Sequence, residues 1–269
     1  MTPTGHRLPL MRKALAESWR STLAWAAGLL AAMSLYLPLY PAIGGNAQMK
    51  NLLDSLPPEL IRALNYDQIA TGAGYTQATF FGLMGFALMS IATIGWGAAA
   101  IGSDEEAGLL ELTLAHGVTR VQVVLERATA LAVRVLALSA VVLVALWVLA
   151  GPSDLGIDPR HAAGGVLLFA GLALLSGTAA LLGGTIGGRR VHGIAAGAVV
   201  AVLGYALNAL GNQSQELSWM HGFSPYYWAY ANAPLVHGPD WWSVAAIYAL
   251  CLVFTAAGAA VLARRDVGV

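Results

Sequence analysis

Apart from 217–239, which three prolines interrupt, six long stretches of this chain carry no Asp, Glu, Lys or Arg: 21–49, 68–103, 135–153, 161–188, 191–215 and 241–263. No other feature limits the fold as much. A helix needs about 20 predominantly apolar residues to cross the hydrocarbon core of a bilayer. Each run reaches or approaches that length. In lipid, backbone polar groups must be satisfied within the segment, so the runs are expected to be helices. The composition agrees. The chain has 269 residues, 58% hydrophobic and 10% charged, against about 25% charged in soluble domains. Mean hydropathy is +0.66. The expectation is an all-α membrane protein forming a single domain over 1–269. Its six transmembrane helices are expected near 21–41, 77–101, 124–150, 161–187, 191–211 and 241–263. Net charge is zero, which argues against nucleic acid as a partner and leaves membrane lipid as the surroundings.

Orientation follows from Lys and Arg, which concentrate on cytoplasmic loops. With the N-terminus inside, the inner side holds Arg7, Arg12, Lys13, Arg20, Arg120, Arg127, Arg189, Arg190, Arg264 and Arg265. The outer side holds Lys50, Arg62 and Arg160. Both termini are therefore expected inside. The Ala- and Gly-rich composition points to a bacterial coding bias and so to a bacterial cytoplasmic membrane. The single cysteine, Cys251, lies in an apolar run and reads as a packing residue.

Smaller features surround the spans. Residues 9–20, PLMRKALAESWR, place Met11, Leu15 and Trp19 on one helical stripe and are expected to form an amphipathic elbow helix. Residues 42–76 form a long outer loop, in which Leu52 to Leu64 predict two short helices broken at Pro57 and Pro58. Residues 212–240 are interrupted by Pro225, Pro234 and Pro239 and read as interfacial or re-entrant. Their aromatics, from Trp219 to Trp242, suit a membrane-interface belt better than an aromatic substrate site. Glycines from Gly164 to Gly197 stud the fourth and fifth spans and predict close helix packing.

The stretch GSDEEAGLLELTLAHGVTR, 102–120, joins the second and third runs. Ser103 and Glu106 have the spacing of a capping box, and Asp104, Glu105 and Glu106 would fill a first helical turn. Gly117 reads as a stop, and Thr119 as the cap of the next helix. A separate short helix is expected over 104–116, with Leu109, Leu110, Leu112 and Leu114 as a greasy strip. Capping alone explains the acids. It does not explain the strip, which suggests a partner.

GSDEEAGLLELTLAHGVTRVQVVLERATA resembles the signature region of the ABC type-2 permease family. The matching places are Glu105-Glu106, Ala107-Gly108, the leucines to Leu114, and Thr119-Arg120. Gly117 stands where that family usually has a turn proline. The end of the chain, HGFSPYYWAYANAPLVHGPDWW followed by a last span and Arg264-Arg265-Asp266, also resembles the family's tail. The resemblance implies that the short helix is a cytoplasmic coupling helix docking on a separate ABC ATPase subunit. Two such subunits would work with two permease copies, or two related ones, in an exporter of drugs, antibiotics, lipids or similar molecules. Asp104, Glu105, Glu106, Leu109 and Leu110 would touch the ATPase, with Arg120 at the hinge into the third span.

No P-loop can be drawn in this chain, because Lys13 and Lys50 are its only lysines and neither follows a glycine. It is therefore expected to be no enzyme and to hold no cofactor, with ATP and Mg bound by the partner. The six histidines lack the spacing of a metal site, so no metal is expected. Arg134 is the one base well inside a predicted span. It is either a functional intramembrane charge or a side chain reaching back to the interface, and Arg127 shares its face. Two other classes stay open: an ion-coupled secondary transporter and a non-transporting membrane scaffold.

Overall fold

The computed structural model describes residues 8–43, 57 and 71–265. Among the described residues, six helices are long and apolar enough to cross a membrane: Pro9–Ala42, Gly72–Glu106, Arg120–Ala150, Pro159–Gly187, Arg190–Gly211 and Trp241–Arg264. They are called the first to sixth spans below. All six expected spans are present, most of them longer than their uncharged cores. In the first, second, third and sixth spans the charged turns lie at one end of the bundle; in the fourth, Arg160 lies at the other. The two short helices expected between 52 and 64 lie outside the described residues.

The fourth span is the axis. It packs against the second, third, fifth and sixth spans, and 83% of its most apolar window is buried. Gly164, Gly165, Gly171, Gly177, Gly183 and Gly184 are among its buried residues. Small side chains let four neighbours approach one helix closely. The main core lies toward the end that carries Gly72. There Phe81 meets Phe80 and Phe169 edge-on, with ring centroids 5.3 and 5.2 Å apart. A smaller cluster of Ile101, Leu110, Val123, Val124, Leu181 and Leu262 fills the opposite end.

Four spans begin at a local side-chain cap. Thr71, Thr119, Asp158 and Asp240 each accept a hydrogen bond from a backbone N–H in the first turn of the helix they open. The first and fifth spans have no such cap: Leu8 and Arg189 stand at the position.

Two expectations about the first two spans change. Residues 9–20 are not a separate elbow. They are the opening turns of a continuous helix, Pro9–Tyr36, since nothing between Arg20 and Leu35 breaks helical geometry. The second span does not stop at 101. It continues through a widened turn at Ala99–Ser103 into Asp104–Glu106. Ser103 has helical dihedrals and makes no capping bond, so the capping box does not form. The acids end a long helix instead of starting a short one.

The segment 212–240 folds back onto the bundle, and the aromatics of 219–242 fall into two groups. Trp219, Phe223, Trp241 and Trp242 are exposed, as a belt requires. Tyr226 and Tyr230 are buried. Their hydroxyls donate to the carbonyls of Gly82 and Phe81, at 2.7 and 3.0 Å. Those carbonyls lie in a π-helical stretch, Gln77–Met84, where the widened turn leaves carbonyl capacity for outside donors. Gln77 completes the joint, taking the Leu235 N–H at 3.1 Å.

Candidate functional site

At the end opposite the tyrosines, the three acids of 104–106 each grip a different helix. Asp104 is ion-paired to Arg127 of the third span. Glu105 is ion-paired to Arg265, just past the sixth span. The same Arg265 guanidinium donates to the carbonyls of Thr185 and Ile186, so Glu105 reaches the end of the fourth span as well. Glu106 accepts the backbone N–H of Arg190 at 3.3 Å. Its carboxylate thereby sits at the positive end of the fifth span, which has no cap of its own. Gly102 makes this approach possible: a β-carbon there would stand 2.6 Å from the Arg190 nitrogen.

A fourth acid, Glu126, is read from the sequence only as flanking, with Arg127, the entry of the third span close to the short helix; its capping role is not. Glu126, in the third span, is 1% exposed. Its Oε2 accepts the N–H groups of Leu10 and Met11 at 2.7 and 3.0 Å, and its Oε1 accepts from Gln122 at 2.7 Å. It is the missing cap of the first span, supplied from another helix. The only signal in the sequence was an acid placed where a helix turns apolar, with a gap in local capping at Leu8. Both uncapped spans are thus capped across the fold, by Glu106 and Glu126.

The short helix of this region is Leu109–Ala115. It is separated from the acids by Gly108, whose φ of 68° favours a residue without a β-carbon. It ends at His116 and at Gly117, φ 82°, as the sequence suggested. Thr119 then opens the third span, accepting the Gln122 N–H at 3.1 Å.

The leucine strip divides in two. Leu110 is 1% exposed and plugs the cluster of Ile101, Val124 and Leu262, so it is not available to a partner in this state. Leu109 and Leu112 are 49% and 59% exposed, with Glu111 exposed between them. Arg120, partly exposed at the first position of the third span, stands apart from the acid cluster.

Arg134 is on the same helix, two turns beyond Arg127. It donates to the carbonyl of Ala14 at 2.7 Å, and its guanidinium lies over Trp96, 5.3 Å from the ring centroid. Together with Arg127 it lines a cleft between the first three spans.

This arrangement is that of a multi-pass helical membrane protein whose charged end gathers the span termini under one short, partly apolar helix. The chain belongs to the ABC-2 family of transporter proteins, whose family model matches residues 8–267. A comparison with curated proteins gave no match. The membership agrees with the resemblance carried by the 102–130 region and the tail.

Proposed function

We propose that the chain is the permease subunit of an ABC exporter, moving a drug, antibiotic, lipid or similar molecule across the cytoplasmic membrane. ATP, with Mg, is hydrolysed by a separate pair of ATPase subunits. A second copy, or a related permease, completes the membrane part. Both termini and the acidic end face the cytoplasm. The observation that carries this reading is the family match together with Leu109–Ala115: a short helix at the charged end with two leucines facing outward. An apolar strip among charges is a docking surface in form.

In this reading the acids and the leucines divide the work. Leu109 and Leu112, with Glu111 between them, meet the ATPase. Asp104, Glu105 and Glu106 bind the base of that helix to the third, sixth and fifth spans. A push on the short helix then reaches three spans at once through charge pairs and a helix cap, with Arg120 at the turn into the third. The acids act as linkage more than as contact.

The test is a mild-detergent pull-down of the tagged chain from its native host, with ATPase activity assayed on what is captured. A co-purifying P-loop ATPase is the expected result. A chain that comes down alone under several detergents, with no associated ATPase activity, contradicts the reading.

A further inference from the structure

The cleft between the first three spans has a volume of about 310 Å³. Its polar lining is Glu17, Ser18, Ser21, Trp96, Arg127 and Arg134. The charges around it do not balance. Asp104 answers Arg127. Glu17 lies 3.9 Å from Lys13. Glu126 is occupied by two backbone N–H groups and Gln122. Among the described residues no carboxylate pairs with Arg134. Its partners are a carbonyl and an aromatic face, and neither cancels its charge. The Nε atoms of both arginines are buried without a hydrogen bond. Unmet donors on a cation are costly in such surroundings.

The position is as telling as the charge. Arg134 lies roughly 21 Å along the helix axis from Arg120, at about 1.5 Å per residue. The third span, 31 residues long, measures about 46 Å. It overshoots a hydrocarbon core of about 30 Å by several turns. With its far end at the opposite boundary, Arg134 sits about one turn inside the near one. That is within reach of the headgroup layer. The guanidinium is also held at two points, by the Ala14 carbonyl and by the Trp96 ring. Trp96 is itself fixed by donating from Nε1 to Ser21 Oγ at 3.1 Å. A planar fork so held suits an oxygen pair of a phosphate better than a diffuse counterion. The Ser21 hydroxyl hydrogen remains as a further donor.

We propose that this cleft binds the phosphate of an anionic phospholipid headgroup, with Arg134 as its main ligand and Arg127 and Ser21 as supporting donors. Basic pockets between spans at a membrane face are suited to such headgroups. The site would anchor the first span to the second and third at the level of the acid cluster. It does not depend on the identity of the ATPase partner.

The experiment uses the full chain in a neutral detergent. Three probes are titrated while thermal unfolding is followed: short-chain phosphatidylglycerol, short-chain phosphatidylcholine and inorganic phosphate. Phosphatidylglycerol is expected to raise the melting temperature with saturation, and the other two are not. Arg134→Gln is expected to weaken that binding by about tenfold or more. Should Arg134→Gln not fold, Ala99→Leu fills the cleft from the second span, leaves the arginine in place, and is expected to block the same titration. Equal phosphatidylglycerol affinity in wild type and in whichever of these variants fold overturns the site. Phosphatidylcholine binding as tightly as phosphatidylglycerol overturns the anionic assignment. Inorganic phosphate binding as tightly as phosphatidylglycerol overturns the lipid assignment in favour of free phosphate.

Discussion

At one end of this bundle, Asp104, Glu105, Glu106 and Glu126 join helices through carboxylates. At the other, Tyr226 and Tyr230 join a folded-back segment to the second span through phenol hydroxyls, and the Tyr226 ring meets Phe86 edge-on, with centroids 5.2 Å apart. The first kind of joint is strong when dry and weakens when water and salt reach it. The second is indifferent to salt. The carboxylate joints also sit where the termini of the spans converge, so moving one moves several helices. The tyrosine joints hold one segment to widened turns of the second span, with the Tyr226 ring also against Tyr205 of the fifth. An end built from partly exposed ion pairs can rearrange at modest cost. An end built from buried rings resists sliding.

The largest separation of the two ends is expected from Glu126→Ala. It strands the Leu10 and Met11 N–H groups and the Gln122 amide, for a loss of about 2–3 kcal/mol. Chemical denaturation in detergent should show it, and Glu126→Gln should recover part of the loss. A change below the error of the fit would mean that the first span needs no cap from the third.

Next in size is the Glu105–Arg265 pair. Both side chains are about a fifth exposed, 21% and 23%, so screening reduces what the pair contributes. A double-mutant cycle with Glu105→Gln and Arg265→Gln should give a coupling of about 1–2 kcal/mol that shrinks as salt rises. Salt-independent coupling would place this joint with the tyrosines. Tyr226→Phe and Tyr230→Phe should each cost about 1 kcal/mol, unchanged by salt. A salt response there would break the contrast from the other side.

The smallest effect concerns Asp240, the cap of the sixth span. The Ser243 hydroxyl holds its carboxyl below the ordinary value of 3.8, aided by the Trp242 and Ser243 N–H groups and opposed by slight burial. A depressed folded pKa means stability is fully present above the unfolded value and is lost as pH falls through the folded one. Wild type and Asp240→Asn should therefore unfold in parallel above about pH 4 and diverge only below it. Divergence near neutral pH would contradict this.

How much of this was legible in the sequence depended on the range of the interaction. Spans are set by local composition, and all six were visible. Thr119 could be read because its partner, Gln122, is three residues away. Gly117 could be read because a stop is a property of one residue's dihedrals. The acids of 104–106 were misassigned for the matching reason. Ser103 and Glu106 have capping-box spacing, yet the second span arrives at Ser103 already helical. Glu106 caps a helix that begins 84 positions later in the chain. Glu126 caps another by taking the N–H of Leu10, 116 positions earlier. No window along the sequence contains either pair. Likewise the aromatics of 219–242 share a composition but not a fate. Trp219 is exposed and Tyr230 is buried, because a folded-back segment has one face toward the bundle and one away.

The division of labour at the acidic end can be examined with two paired variants in one pull-down. Glu105→Gln with Glu106→Gln removes two of the three links and leaves Asp104–Arg127, while Leu109→Asp with Leu112→Asp removes the exposed apolar strip and leaves all three links intact. Melting temperature and captured ATPase are read for each. The account predicts that the acid variant melts lower than wild type but still captures ATPase, and that the leucine variant melts like wild type and captures none. An acid variant that is fully stable but captures nothing, beside a leucine variant that captures normally, would show that the acids are the contact and the leucines are not.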